Sequence, residues 1–85
     1  MDKREIRRIV GEVVMDVLEL ELEELRDNAD FHTDLGGDSI QRLELVVALE
    51  KRFGIQYAFS DEARMNCINE VVEITESYVR TQAPL

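Results

Sequence analysis

Residues 34–40 read Asp-Leu-Gly-Gly-Asp-Ser-Ile, and they lead directly into a strong helical repeat. The two glycines give the backbone access to conformations that a Cβ atom would disfavour. Asp38 and Ser39 come next, and both residue types are good helix N-caps. Behind them, one helix face is apolar: Leu45, Val46, Leu49 and Phe53. The pattern predicts an amphipathic helix that begins beside an exposed serine hydroxyl and ends at Gly54.

Two other segments show the same periodicity over several turns. The first predicted helix runs from Asp2 to about Leu20, with this apolar stripe: Ile6, Ile9, Val10, Val13, Val17 and Leu20. The last predicted helix opens at Asn66 or Cys67 and runs to about Arg80. Its stripe is Ile68, Val71, Val72, Thr75 and Val79.

The connections between these helices carry isolated apolar residues. The first connection, residues 21–33, is long and acidic, and we expect its apolar side chains to pack on the bundle: Leu22, Leu25 and Phe31, with Leu35 at its end. The second connection, residues 54–60, has three apolar anchors: Ile55, Tyr57 and Phe59. After it, Ser60 is expected to cap a short helix from Asp61 to about Met65.

These segments predict an all-α fold. It is a four-helix bundle of three longer helices and one short helix, with a long loop between the first and second helices. Eighty-five residues suffice for one core, so residues 1–85 are expected to form a single domain. Residues 81–85 are expected to be a frayed tail, because Pro84 cannot continue a helix.

The charge of the chain is lopsided, with 19 acidic residues against 10 Lys and Arg and a formal net charge of −9. Such a field repels nucleic acid and anionic lipid, so neither is expected as a partner. No apolar run approaches the ~20 residues needed to cross a bilayer. The N-terminus lacks the apolar segment of a signal peptide, and the single Cys67 excludes an internal disulfide. We therefore expect a cytoplasmic protein.

Few side chains in the sequence are suited to catalysis or metal binding. Ser39 is a poor nucleophile without a base, and His32, the one histidine, is expected to be a solvated or hydrogen-bonded surface residue. Asp34 and Asp38 lack the alternating ligands of an EF-hand loop. Cys67 has apolar neighbours and is expected to be a half-buried hydrophobe. The sequence predicts no catalytic residue, no metal site and no enzymatic activity.

The residues alone leave two interpretations of the serine. In one, Asp38 or Ser39 is simply a helix N-cap, worth about 1 kcal/mol. In the other, Ser39 presents an exposed hydroxyl for covalent modification, and the start of a helix provides a rigid base for it.

A family resemblance favours the second interpretation. Residues 34–40, followed by Leu-Glu-Leu-Val-Val-Ala-Leu-Glu at 43–50 and Phe-Gly-Ile at 53–55, resemble the acyl carrier protein family. In that family an Asp-Ser-Leu signature opens the second helix, and its serine carries 4′-phosphopantetheine. The resemblance implies that Ser39 receives this group from coenzyme A. It also implies that Asp38 belongs to the modification motif and helps to hold the metal ion of the transferase.

The resemblance also implies a docking face on the second helix. This face is formed by Ile40, Leu43, Glu44, Val47 and Lys51. The expected partners are a phosphopantetheinyl transferase and acyl-loading, condensing and tailoring enzymes, and the carrier is expected to be free-standing and monomeric. The chain departs from the fatty-acid-type pattern because four residues stand where acidic residues are frequent: Gln41, Arg42, Lys51 and Arg52.

Two alternative functions remain open from the sequence. The Gly-Gly-Asp-Ser-Ile form also resembles the peptidyl or aryl carriers of nonribosomal peptide synthesis. An alternative of another class is a non-catalytic helical interaction domain, in which Ser39 is only a helix cap and the acidic surface binds a basic partner.

Overall fold

The computed structural model describes residues 1–81, and within them it contains four α-helices. The predicted all-α bundle of three longer helices and one short helix is confirmed. Its helices are α1 (Lys3–Leu18), α2 (Ser39–Phe53), α3 (Phe59–Glu62) and α4 (Ile68–Thr81), with a 3-10 turn at Leu22–Glu24. Of the predicted tail, Thr81 is the last residue of α4, and residues 82–85 lie outside the described residues. Over residues 1–81 the helices are too short or too polar to span a membrane.

The core lies where α1 packs against both α2 and α4. The predicted stripes are buried in it, except for four residues that are half-buried: Val17, Leu20, Phe53 and Val79. Val14 and Ile74 are also buried, although the predicted stripes did not contain them. The buried faces of α1 and α4 are therefore wider than one narrow stripe.

Helix α1 is shorter than predicted at both ends. Asp2 lies outside the helix as its N-cap, where its carboxylate accepts a hydrogen bond from the first turn. The helix ends at Leu18 rather than Leu20, because Glu19 adopts a left-handed conformation with φ 54°. The Leu20 N–H then donates to the Met15 carbonyl over 3.0 Å, which turns the Leu20 side chain back onto the core.

The first connection packs on the bundle through some of its predicted anchors. Phe31 is buried, and Leu25 and Leu35 are half-buried against the core, as predicted. Leu22 is 69% exposed in the 3-10 turn, so its predicted anchoring role is wrong. A Cβ atom on Gly11 of α1 would lie 3.2 Å from Leu25 Cδ2. The glycine inside α1 therefore leaves the space that Leu25 occupies.

Backbone hydrogen bonds join this connection to the start of α4. The Phe31 N–H donates to the Asn66 carbonyl over 2.8 Å, and the Asn69 N–H donates to the Asp27 carbonyl over 3.0 Å. Arg7 of α1 adds an ion pair with Asp27. The long loop is therefore held along its length by contacts with two helices.

Helix α3 differs from its prediction in both bounds. It begins at Phe59 and ends at Glu62, whereas the sequence predicted a helix from Asp61 to about Met65. Ser60 is not its N-cap; Ala58 holds that position and contributes no side-chain hydrogen bond. The start of this helix is therefore not fixed by a side chain at its N-cap position.

The anchors of the second connection follow an alternating pattern. Ile55 and Tyr57 are buried as predicted, but Phe59 is 87% exposed, so its predicted anchoring role is wrong. The chain enters α3 in extended conformation at Ala58, and alternate side chains of an extended segment point in opposite directions. The helix begins at the next residue, which breaks the alternation and leaves the Phe59 side chain on the surface.

Helix α3 buries no side chain, so hydrogen bonds rather than apolar packing hold it against α4. The Tyr78 hydroxyl donates to Asp61 Oδ2 over 2.6 Å and accepts from the Ala58 N–H over 2.7 Å. The hydrogen bond from Tyr78 lowers the pKa of Asp61, with help from Arg64. Beneath them, Tyr57 contacts Tyr78 edge to face, with ring centroids 5.3 Å apart.

A buried polar pair, Tyr57 and Thr75, lies in the core. The Tyr57 hydroxyl lies 2.6 Å from Thr75 Oγ1, and Thr75 is fully buried. Burial raises the pKa of Tyr57 to about 12, although the bond to Thr75 opposes this shift.

Helix α4, on which Thr75 lies, begins at Ile68, just after its predicted start. Cys67, which precedes it, is half-buried as predicted.

Candidate functional site

The predicted serine is the first residue of α2. Asp38 precedes it as the N-cap, and Asp38 Oδ1 accepts a hydrogen bond from the Gln41 N–H over 2.8 Å. In return, Gln41 Oε1 accepts from the Asp38 N–H over 3.1 Å. These two bonds form a capping box, which fixes the direction in which the chain enters the helix.

The capping box leaves the Ser39 hydroxyl without a structural role. Of the two predicted N-cap candidates, Asp38 is confirmed as the cap and Ser39 is not the cap. Ser39 is exposed, and its side chain has no hydrogen-bond partner among residues 1–81. A rigid helix start therefore presents an unused hydroxyl to solvent.

The glycine turn before the helix is required by close packing. Gly36 has φ 73°, a left-handed conformation that glycine adopts without strain. At Gly37 the constraint is contact: a Cβ atom would lie 2.9 Å from the Phe31 carbonyl oxygen and 3.0 Å from Leu18 Cδ2. The Gly37 N–H also donates to that same oxygen over 2.7 Å. The turn is thus clamped onto the buried Phe31, directly before the cap.

Asp30, which the sequence analysis did not single out, organises the loop that leads to the turn. Its Oδ1 accepts hydrogen bonds from the N–H groups of His32 and Thr33, over 2.8 and 2.9 Å. The hydrogen bonds from these two N–H groups lower the pKa of the Asp30 carboxyl, and the bond from Thr33 has the larger effect. The signal was the aspartate itself, because an Asp side chain often accepts a hydrogen bond from the N–H two residues further along and so forms an Asx-turn.

His32 is an exposed, hydrogen-bonded residue, as predicted. Its Nδ1 lies 2.8 Å from the Gly37 carbonyl oxygen, and since a carbonyl only accepts, Nδ1 carries the proton. The bond therefore supports the glycine turn, and it engages that ring nitrogen away from the Ser39 hydroxyl. No group of three or more His, Cys, Asp and Glu side chains arranged to hold a metal occurs in residues 1–81.

A cleft of about 370 Å³ opens directly beside Ser39. Its walls come from the end of α1, the loop before the glycine turn, the first turns of α2 and the segment before α4. The apolar part is Leu18, Phe31 and Leu45; the polar part includes His32, Arg42 and Asn66. An extended group attached at Ser39 could thus lie against either kind of wall.

The predicted docking residues lie on the solvent face of α2. Ile40, Leu43 and Val47 are 71%, 62% and 50% exposed, and Glu44 and Lys51 are also exposed. Apolar side chains that recur at this spacing on one exposed helix face are typical of a contact surface. The structure places all five residues on one side of the helix that begins at Ser39.

The unusual basic and polar residues of α2 have different surroundings. Arg52 donates to Glu12 Oε1 of α1 over 2.9 Å, and this bond lowers the pKa of Glu12. Gln41 is used in the capping box, and Arg42 Nη2 donates to the Glu62 carbonyl over 2.8 Å. Lys51 alone among these four is exposed and forms no ion pair within residues 1–81.

Comparison with known proteins identifies the family. A family model described as the phosphopantetheine attachment site matches residues 8–74. The chain is 36% identical over 77 residues to the polyketide-8 synthase acyl carrier protein 2 of Streptomyces avermitilis, covering 91% of this chain and 84% of that protein. It is 34% identical over 68 residues to the acyl carrier protein of Wolinella succinogenes, covering 80% of this chain and 90% of that protein.

The structural comparison agrees in fold. A solved structure of a putative acyl carrier protein from Mycobacterium tuberculosis superposes with a TM-score of 0.78 at 20% identity, covering 86% of this chain and 97% of that chain. The segment that the family model matches, residues 8–74, contains the whole of α2 and the glycine turn before it. By its sequence, and in agreement with its fold, the chain belongs to the acyl carrier protein family, whose members carry phosphopantetheine.

Proposed function

We propose that Ser39 is the residue to which 4′-phosphopantetheine is attached. The observation that carries this proposal is the exposed, unbonded hydroxyl at the first position of α2, with the capping role already taken by Asp38. The group fits there, because the hydroxyl opens onto solvent and borders a cleft with apolar and polar walls. When bound, the group supplies a thiol that holds acyl chains as thioesters.

The start of α2 also suits the phosphodiester that joins such a group to a serine. Unpaired N–H groups and the positive end of the helix dipole favour an anion there by about 0.3–1 kcal/mol. The Asp38 carboxylate opposes it as a neighbouring negative charge. We attribute Asp38 to the capping box and to the modification step, in which it helps the transferase to hold its metal ion.

We infer that the chain itself has no catalytic activity. Proton removal from Ser39 needs a base, and among residues 1–81 neither His32 nor any other side chain forms a hydrogen bond with the Ser39 hydroxyl. A partner transferase therefore performs the modification, and acyl-loading, condensing and tailoring enzymes act on the cargo. The chain's own contribution is a rigid, exposed attachment point.

For these partners we propose docking on the exposed face of α2, at Ile40, Leu43, Glu44, Val47 and Lys51. The support is their exposure beside the attachment point, on the helix that Ser39 begins. The carrier acts as a monomer in the cytoplasm, with residues 1–85 as one domain. The apolar contact area of such a face is small, which suits partners that must bind and release in turn.

The cargo proposed is an acyl chain of polyketide or fatty acid synthesis rather than a peptidyl group. A relative with 36% identity is named as a polyketide synthase acyl carrier protein, and this supports the acyl assignment over the peptidyl or aryl alternative. The mixed charge of α2 supports a dedicated partner set.

Mass spectrometry tests the attachment site. After incubation with a broad-specificity phosphopantetheinyl transferase and coenzyme A, the chain is expected to gain one phosphopantetheine group. Ser39→Ala is expected to gain nothing, whereas Ser60→Ala, which removes another exposed serine, is expected to be modified fully. If the wild type gains no mass, the proposal is wrong and the interaction domain without a phosphopantetheine group becomes the better description. If Ser39→Ala gains as much as the wild type, the attachment site is another residue.

The same assay tests the docking face. Leu43→Ser is expected to slow modification about tenfold, as losing one well-packed contact residue of over ~1 kcal/mol implies. Leu22→Ser is the matched control, because Leu22 is equally exposed but lies in the 3-10 turn. Equal rates for the two variants would contradict docking through Leu43.

A further inference from the structure

One cation in the chain has unusual surroundings. Within residues 1–81 only Arg7 and Arg42 are half-buried cations, and every other Lys and Arg is exposed. Arg7 forms an ion pair with Asp27. Arg42 has no carboxylate within 4.0 Å among the described residues, although acidic residues outnumber basic ones almost two to one. Among residues 1–81, the Arg42 guanidinium therefore has no counter-ion, although the chain contains many carboxylates.

Among residues 1–81, the Arg42 side chain forms one hydrogen bond, which uses a small part of its guanidinium. The Arg42 Nη2 group donates to the backbone carbonyl of Glu62 over 2.8 Å. Glu62 is the last residue of α3. A guanidinium has five N–H donors, so most remain available to a further acceptor. The carbonyl also carries no full charge, so this bond positions the side chain without neutralising it.

Arg42 and Ser39 line the same cleft. They are three residues apart on α2, so they are neighbours on one helix surface, with Cβ atoms about 5–6 Å apart in such a pair. A phosphate joined to the Ser39 hydroxyl would be within reach of the Arg42 side chain. Guanidinium groups match phosphate oxygens with two parallel hydrogen bonds.

We propose that Arg42 binds the phosphodiester at Ser39 and so turns the first segment of the phosphopantetheine arm into the cleft. Arg42 is thus a positioning residue for the cofactor. It also offsets the repulsion that Asp38, on the other side of Ser39, exerts on the phosphodiester. The inference rests on the proposed attachment at Ser39 and specifies the direction in which the arm leaves that residue.

The walls of the cleft agree with this direction. Beyond the phosphate, the arm carries two methyl groups and then amides. Leu18, Phe31 and Leu45 offer apolar surface within the cleft, and Asn66 offers polar groups. With its phosphate held by Arg42, the arm is expected to rest along these walls, and a partner must draw it out.

NMR spectroscopy of the full chain tests the contact directly. The Nε–Hε resonance of Arg42 is expected to shift between the unmodified and the modified protein, while that of Arg80, near the far end of α4, stays unchanged. Cross-relaxation is expected between the arm's methyl protons and the side chains of Phe31 and Leu45. In Arg42→Gln the cleft-bound population is expected to fall about tenfold, as loss of one charge-assisted bond implies.

Two further variants separate phosphate binding from a loosened α3. Arg42→Lys keeps the charge without the two-pronged geometry, so it is expected to restore part of the cleft-bound population. Arg80→Gln removes the same charge elsewhere and is expected to leave that population unchanged. The positioning role is overturned if the Arg42 resonance is the same in both forms, or if the arm contacts the cleft equally in Arg42→Gln.

Mass measurement of each sample distinguishes the two proposals. If the wild-type chain gains no phosphopantetheine, attachment at Ser39 fails and the role of Arg42 falls with it. If the chain is modified at Ser39 but the arm ignores Arg42, only the inference about Arg42 fails.

Discussion

The loop before α2 and the segment around α3 lie on the same core but are held in different ways. Residues 30–38 are fixed by close contact, since Gly37 has no room for a Cβ atom beside the Phe31 carbonyl. Residues 58–62 bury no side chain in α3 and depend on hydrogen bonds to Tyr78 and Arg42. The proposed attachment at Ser39 suits the first kind of support, because any movement of the loop would also displace the attached arm.

The difference also indicates where the molecule is able to move. Breaking packing around Gly37 would disturb the core residues Leu18 and Phe31. Breaking the bonds of α3 would expose little apolar surface, so α3 is expected to open locally without unfolding the bundle. Substitutions in the two regions should therefore differ both in size and in how far their effects extend.

The largest effect is expected for Gly37→Ala. The new Cβ atom would lie 2.9 Å from a backbone oxygen, which cannot rotate away as a side chain would. Overpacking and a weakened backbone bond should lower the free energy of unfolding by about 2–4 kcal/mol, measured by urea titration. Gly36→Ala is the control: it meets no atom within 4 Å, and its positive φ alone should cost about 1 kcal/mol. Equal losses for both would contradict the role of close contact.

The rigid region was also the more predictable one. Two glycines followed by two capping residues and a 3.6-residue repeat predicted the position of α2 and the exposure of Ser39. The sequence did not reveal that Gln41 completes the cap or that Asp30 holds the preceding loop, because both roles depend on how the chain turns. Leu22 and Leu25 show the same limit: they are neighbours in an acidic loop, yet only Leu25 meets the space above Gly11.

Around α3 the sequence was misleading for a physical reason. Ser60-Asp61-Glu62 has the composition of a capped helix start, and Phe59 has the composition of an anchor. The fold instead begins the helix at Phe59, because Tyr78 of α4 engages Asp61 and the Ala58 N–H together. These two hydrogen bonds join residues that are 17 and 20 positions apart in the sequence, so no local sequence pattern predicts them.

An intermediate effect is expected beneath α3, at the buried pair. Tyr57→Phe leaves the fully buried Thr75 hydroxyl without its partner and should lower the free energy of unfolding by about 1–2 kcal/mol in urea titration. The double variant Tyr57→Phe/Thr75→Val replaces both groups with apolar ones of similar shape and should recover most of that loss. If the double variant loses the sum of the two single losses, the bond contributes nothing as a pair.

The smallest effect on global stability is expected from protonation of Asp61, and this effect should be confined to α3. The pKa of Asp61 is lowered in the folded chain by the bond from Tyr78 and by Arg64. Its contribution is therefore fully present above the ordinary Asp pKa of about 3.9 and is lost as the pH falls through the lowered value. Amide exchange of α3 should therefore accelerate as the pH falls below about 4, relative to the exchange expected for an unstructured chain.

The Asp30 loop provides the internal comparison for this titration. The pKa of Asp30 is also lowered, so protonation weakens its bonds to the His32 and Thr33 N–H groups. The bond from the Gly37 N–H to the Phe31 carbonyl does not titrate, and it should keep Gly37 protected where α3 has opened. Asp61→Asn, which keeps an acceptor for Tyr78 but removes the charge, should abolish the acid response of α3 alone. Equal acceleration at Gly37 and in α3 would mean that the two regions open together, because the bundle then responds to acid as one unit.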